Sequence, residues 1–172
     1  MVDQSVIGKS QEENRGQVSR LRVVVADDNA DFIDHTVELL AKKRGMEFDV
    51  VGTARDGLSA VELVGRLAPD IVTLDITMPR LDGLEVARRL RADGFQTRII
   101  FLTVHEDVDF LREALAVGAM GYVIKSQVVS DLPQALSNLA AGHRFISSTP
   151  ILRAFEGDEI EGPDSMDGPT TN

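Results

Sequence analysis

A chain of 172 residues with a net charge of −10 and no cysteine has room for one ordinary domain with tails, and it excludes disulfides, thiol catalysis and thiolate metal sites. The acidic balance speaks against a nucleic-acid-binding surface, which needs clustered Lys and Arg. Met1 to Arg20 is polar and lacks the apolar segment of a signal peptide. No apolar run approaches a membrane span, so a soluble, cytoplasmic protein with no membrane partner is expected.

Residues 1–20 balance three acids against three bases and read as a disordered N-terminal tail. From Leu21 the pattern alternates between strand and helix. Leu21 to Ala26 reads as a first strand that stops at Asp27-Asp28-Asn29. Residues 31–44 place Phe32, Ile33, Val37, Leu39 and Leu40 on one helical face; Lys42, Lys43 and Arg44 complement the dipole and Gly45 is the stop. Phe48 to Ala54 is a second strand. Asp56-Gly57 opens a helix that runs to Leu67, and Pro69 prevents its continuation.

Ile71 to Asp75 is an apolar, β-branched run suited to a strand buried on both faces. It gives way to the turn Met78-Pro79-Arg80-Leu81-Asp82-Gly83, and a helix follows from Gly83 to Ala92. Ile99 to Thr103 is a fourth strand ending on a hydroxyl, followed by a helix over Val108–Val117. Gly121 to Lys125 is a short fifth strand ending on an amine. The last helix, Val129–Ala141, has leucines at helical spacing and Gly142 as its stop. Parallel strands need crossovers, and right-handed crossovers place helices on both faces. The predicted fold is α/β, a doubly wound five-stranded parallel sheet between two helical layers.

In such a sheet the carboxyl ends of the strands share one rim, where open α/β folds bind ligands. That rim collects Asp27, Asp28, Asp75, Thr103 and Lys125. Each residue alone is equally consistent with a loop cap or an ordinary strand end; their arrival on successive strand ends is what carries the reading. Two carboxylates ~4 Å apart repel by about 4 kcal/mol at an effective dielectric of 20, so the cluster wants a cation. Oxygen donors without His or Cys favour Mg²⁺. Asp27 and Asp28 are candidate metal ligands beside Asp75, and the carbonyl of Thr77 offers a further oxygen. Asp75 is the candidate nucleophile for phosphoryl transfer to a carboxylate. Lys125 and Thr103 could each contact a transferred phosphate oxygen.

Residues 21–142 resemble the receiver domain of bacterial two-component response regulators, which has the flavodoxin-like (βα)5 fold. The resemblance rests on Asp27-Asp28 after the first strand, Asp75 followed by Met78-Pro79 and Asp82-Gly83, Thr103, and Lys125 preceded by Tyr122. It implies a phosphoacceptor module. Asp75 would take its phosphoryl group from a sensor histidine kinase or a phosphotransfer protein, with Mg²⁺, and would later lose it by self-catalysed hydrolysis. It also implies switch roles for Thr103 and Tyr122, which move together in that family.

Lys125-Ser126 and the segment Ala140 to Ser147 further resemble NarL/FixJ-type members, which normally continue into a DNA-binding helix-turn-helix. Residues 143–172 read instead as a C-terminal extension, with six acids and no base from Glu156 onward, disordered from there. The expectation is a stand-alone receiver that signals by phosphorylation-dependent contact with a downstream protein or a second copy of itself, with no nucleic acid. The alternative is a NarL/FixJ-type transcription regulator whose DNA-binding domain is missing or truncated. An enzyme acting on external phosphate esters is not expected, because such aspartyl-phosphate hydrolases commonly carry an acid where Thr77 stands. Val104, Thr77 and His105 flank the pocket and could tune access and phosphate lifetime. His35 and His143 read as surface helix and helix-end residues.

Overall fold

The structure, a computed structural model, describes residues 20–42 and 48–149. The expected tails, most of 1–20 and 150–172, and the Lys43-Arg44-Gly45 helix end lie outside these residues. The strands are β1 (Leu21–Ala26), β2 (Phe48–Ala54), β3 (Ile71–Leu74), β4 (Arg98–Thr103), β5 (Gly121–Ile124) and β6 (Phe145–Ile146). The helices are α1 (Ala30–Lys42), α2 (Gly57–Leu67), α3 (Gly83–Ala92), α4 (Val108–Ala116) and α5 (Val128–Ala140), with a 3-10 turn over Lys125–Gln127. The sheet order is β2-β1-β3-β4-β5-β6 and every pairing is parallel. This is the doubly wound flavodoxin-like order, whose direction of winding reverses between β1 and β3.

The period-2 geometry of each strand sorts the core into two layers. Val24, Ala26, Val72, Leu74, Ile99, Phe101 and Tyr122 face α2, α3 and α4. Their alternate neighbours Val23, Val25, Ile71, Ile100, Leu102 and Val123 pack against α1 and α5. Because both faces are covered, β3 and β5 are buried throughout and read as unbroken apolar runs. Helix starts follow local chemistry. Asp56 Oδ1 accepts from Ser59 N (2.9 Å) and Asp82 Oδ1 from Glu85 N (2.8 Å), capping α2 and α3.

Three boundaries bear on the site. Asp75 lies one residue past β3, and Lys125 opens the 3-10 turn after β5 instead of ending the strand. The third difference is larger: among the described residues the sheet has six strands, not five. Phe145 and Ile146, which the sequence places in the extension, pair with Gly121 and Tyr122. Two apolar residues are too short to display a period, so no local pattern announces this strand.

What holds β6 is a buried polar knot. Ser147 Oγ donates to Asp131 Oδ2 at 2.6 Å and accepts from Ile124 N at 3.1 Å, while Ser147 N donates to Tyr122 O at 2.8 Å. Ser147 and Asp131 are both buried. Truncating the hydroxyl strands a buried carboxylate oxygen and an amide, which costs about 1–3 kcal/mol. Ser147→Ala is therefore expected to lower the melting temperature by roughly 2–12 °C at about 2–4 °C per kcal/mol. Calorimetry giving an unchanged midpoint would remove the knot from the stability account.

Candidate functional site: an acidic pocket at the strand ends

The β1/β3 switch point is where the acids gather. Asp27 is anchored by its amide, which donates to Ala54 O (3.0 Å), and Asp75 by its amide, which donates to Ala26 O (2.9 Å). Both side chains are buried at the rim, whereas Asp28 is exposed. Carboxylate oxygens of Asp27, Asp28 and Asp75 all lie within 4.8 Å of one another. Lys125 reaches in from the far side of the sheet, its Nζ 2.6 Å from Asp27 Oδ2 and 2.7 Å from Asp75 Oδ2. The register explains the convergence. Leu74 pairs with Phe101 and Thr103 with Ile124, so the residues following β3 and β5 flank the end of β4.

The loops around the acids are tied down by short-range chemistry. Asp27 Oδ1 accepts from Asn29 N (2.9 Å), and Asn29 Oδ1 in turn accepts from Phe32 N (3.1 Å) at the start of α1. Asp75 Oδ1 accepts from Thr77 N at 3.2 Å. The Thr77 hydroxyl lies 3.0 Å from His105 Nε2, so the β3–α3 and β4–α4 loops are joined across the pocket. The His105 ring stacks on Phe110 with centroids 4.2 Å apart. Buried Thr103 accepts from His105 N (3.1 Å), and buried Tyr122 donates its hydroxyl to His105 O (2.9 Å). The two residues assigned switch roles thus grip the same loop residue from two sides. Val104, between Thr103 and His105 in the chain, is 66 % exposed.

Burial pushes the Asp27 carboxyl above its usual range, against the pull of the Lys125 ammonium and the Asn29 amide. Burial acts to lower the Lys125 ammonium, but its bonds to Asp27 and Asp75 outweigh that and the net direction is up. Burial, and then the Asp107 charge, raise the Tyr122 hydroxyl, which stays protonated and able to donate at any ordinary pH.

The donor set fits Mg²⁺. It comprises three carboxylates and no nitrogen or sulfur ligand. The buried Asp27 Oδ2 is paired with the Lys125 ammonium at 2.6 Å. One ammonium shared between two carboxylates, with the third carboxylate of Asp28 beside them, leaves an excess of negative charge that a divalent ion would balance. A raised folded-state carboxyl destabilises the charged form: its contribution is fully present below the unfolded pKa of 3.8 and is lost as pH rises through the folded pKa. At neutral pH Asp27 is therefore a liability that a divalent ion would relieve. Asp27→Asn is expected to lose most of the Mg²⁺-dependent rise in melting temperature. A variant that still responds fully to Mg²⁺ contradicts this account.

The structure brings Asp27, Asp28, Asp75 and Lys125 together, while Thr77 lies in the loop after β3, Thr103 ends β4 and Tyr122 sits within β5, the three of them linked through His105. Sequence reasoning missed Asn29 as the link between Asp27 and α1. Its signal was present, since Asp and Asn after a strand commonly bond the backbone two or three residues on. The direct Thr77–His105 bond and the ring of Phe32 near Lys125 had no sequence signal.

A parallel doubly wound sheet with an acid triad and an amine on its carboxyl rim belongs to the α/β class that binds its ligands at the strand ends. Residues 23–137 match the response regulator receiver domain family, and the chain belongs to it. Among relatives, it is 32 % identical to the transcriptional regulatory protein DegU of Brevibacillus brevis over 128 residues, which is 74 % of this chain and 53 % of DegU. It is likewise 32 % identical to the probable transcriptional regulatory protein NarL of Mycobacterium tuberculosis, covering 78 % of this chain and 62 % of that protein. The chain thus spans between half and two thirds of these curated relatives. Among solved structures, the signal receiver domain of Mycobacterium tuberculosis NarL superposes with a TM-score of 0.68 at 33 % identity, covering 72 % of this chain and 98 % of that one. A LuxR-family two-component response regulator from an Aurantimonas species gives a TM-score of 0.74 at 31 % identity, covering 83 % and 100 % respectively. Among the described residues, no helix is long and apolar enough to cross a membrane.

Proposed function

We propose that this receiver accepts a phosphoryl group on Asp75 from a phosphohistidine of a sensor kinase or phosphotransfer protein and signals through phosphorylation-dependent protein contact. The observation that carries the reading is the Lys125 ammonium bonded to Asp75 and Asp27 at once, beside a carboxylate triad sized for one divalent ion. In the transfer, a carboxylate oxygen of Asp75 forms the new P–O bond while the donor P–N bond breaks, and the imidazole leaves and is reprotonated from solvent. Asp27 and Asp28 would hold Mg²⁺, which when bound supplies charge neutralisation at the phosphoryl oxygens. Lys125 exchanges its carboxylate contact for a phosphoryl oxygen, and Thr103 turns its hydroxyl from His105 N toward another.

That exchange couples charge to shape. The product carries about −2 at neutral pH in place of one carboxylate charge. Moving Thr103 releases the His105 loop, and Tyr122, bonded to the same loop, follows. The change reaches α4, β5 and α5, a surface available to a downstream protein or a second copy. A swing from 1:99 to 99:1 needs about 5.5 kcal/mol of differential stabilisation, within reach of a few charge-assisted hydrogen bonds. The chemistry ends with this transfer and the self-catalysed hydrolysis of the aspartyl phosphate, with no turnover of external phosphate esters.

The test is intact-mass measurement after incubation with acetyl phosphate and Mg²⁺. One phosphoryl adduct is expected on wild type and none on Asp75→Asn; an adduct of equal yield on the variant overturns the assignment. A second reading, a DNA-binding regulator controlled by the same switch, is favoured by what the names of DegU and NarL say of those proteins. A retained DNA complex at low salt would support it, and the net charge of −10 argues that this chain alone forms none.

A further inference from the structure

Among the described residues, the Lys125 ammonium contacts two carboxylates and a third group of another kind. The third is the half-buried ring of Phe32 on α1, whose centroid lies 4.6 Å from Nζ. That is within the range at which the negative face of an aromatic ring attracts a cation. The ring is not there by accident of a mobile side chain. Phe32 N is bonded to Asn29 Oδ1, and Asn29 N to Asp27 Oδ1, so the acid that pairs with Lys125 also sets the start of the helix that carries the ring. Lys125 itself has a flexible four-carbon stem and only 15 % side-chain exposure, and the ring closes one of its ways out to solvent.

We propose that Phe32 is a positioning residue for Lys125: its ring face holds the ammonium over the pocket while the amine trades Asp75 for the incoming phosphoryl oxygen. This rests on the functional reading above. The attraction to the ring does not depend on the state of Asp75, so it persists through the step in which the carboxylate contact is given up. Apolar packing alone would be served by leucine, since Phe32 also rests on the layer shared by α1 and α5. The positioning role needs an aromatic face.

The experiment compares wild type, Phe32→Leu and Phe32→Tyr, each alone and with Lys125→Gln. Phosphorylation by acetyl phosphate at saturating Mg²⁺ is followed by intact mass across donor concentrations. Phe32→Leu is expected to lower the maximal rate about three- to tenfold with little change in the donor concentration for half-maximal rate. Phe32→Tyr, which keeps the ring, is expected to recover most of that loss. In the Lys125→Gln background the leucine substitution should add nothing, because the ammonium it acts through is gone. Proton NMR adds a readout that a packing role would not move: upfield ring-current shifts of the Lys125 ε-methylene, kept in the tyrosine variant and lost in the leucine variant. A phosphorylatable wild type with an equally fast Phe32→Leu, or a leucine loss that persists undiminished with Lys125→Gln, overturns the role of Phe32 alone. A wild type that takes up no phosphoryl group overturns the reading of Asp75 and this role with it.

Discussion

Lys125→Met is expected to slow phosphoryl uptake about 10²- to 10³-fold while leaving a folded protein, the range found when one preorganised donor to a developing anion is deleted. The amine is the lone cation bonded to Asp27 and Asp75 among the described residues, at 2.6 and 2.7 Å. Its removal leaves two buried carboxylates facing one another. Uptake from acetyl phosphate with Mg²⁺ reads the rate; a variant within a factor of a few of wild type would remove Lys125 from the transfer.

The same substitution has a signature in pH. The ammonium is raised above its ordinary 10.5 in the folded state, so its own contribution to stability is fully present below that value and is lost only as pH rises through the folded pKa, in the alkaline range. For Asp27 the window is the opposite end. Its folded carboxyl is already raised above 3.8 by burial and would rise further without Lys125, so stability falls as pH climbs from the acidic range toward neutrality. The methionine variant should therefore melt lower than wild type at neutral pH. It should regain ground on mild acidification and respond more strongly to Mg²⁺, which takes over the role of the missing cation. A melting profile parallel to wild type at every pH would contradict this.

The second large effect is at Gly83. A Cβ built there would sit 2.0 Å from the Asp75 carbonyl oxygen and 2.9 Å from its carbon, both backbone atoms that cannot rotate away. Gly83 N also donates to Ile76 O at 2.8 Å, which draws the start of α3 onto the end of β3. Gly83→Ala must push the loop off the strand and displace Asp75 itself. A loss of roughly 3 kcal/mol or more is expected, since overpacking a rigid contact costs about 1–3 kcal/mol and here no side chain can yield. The melting temperature should fall by about 6–12 °C or more, with phosphoryl uptake lost in step.

Gly94→Ala is the control. Nothing lies within 4 Å of its Cβ position, and its φ of +80° makes it costly only through backbone strain, about 1–2 kcal/mol. If the two alanine variants melt together, contact with the Asp75 carbonyl is not the reason for the glycine at 83.

The order and type of the five long βα units were readable because that information is local. The runs Val23–Ala26, Ile71–Leu74 and Ile99–Thr103 are buried without a break since both faces of the sheet are covered, and the helices between them carry their own caps and stops. Parallel connection then forces every strand's carboxyl end onto one rim. For that reason alone Asp27, Asp28, Asp75, Thr103 and Lys125 could be gathered into one site without seeing the fold.

What the tertiary structure decided are the contacts between elements far apart in the chain. The two-residue β6 exists only because the edge of β5 and the Ser147–Asp131 bond receive it. The Thr77–His105 bridge joins two loops far apart in the chain, and Phe32 on α1 meets Lys125 after β5 only once the two are packed on the same rim. Residue type and spacing carry the period of an element and therefore which face is buried. The distance between side chains on different elements is set by packing, and no spacing along the chain encodes it.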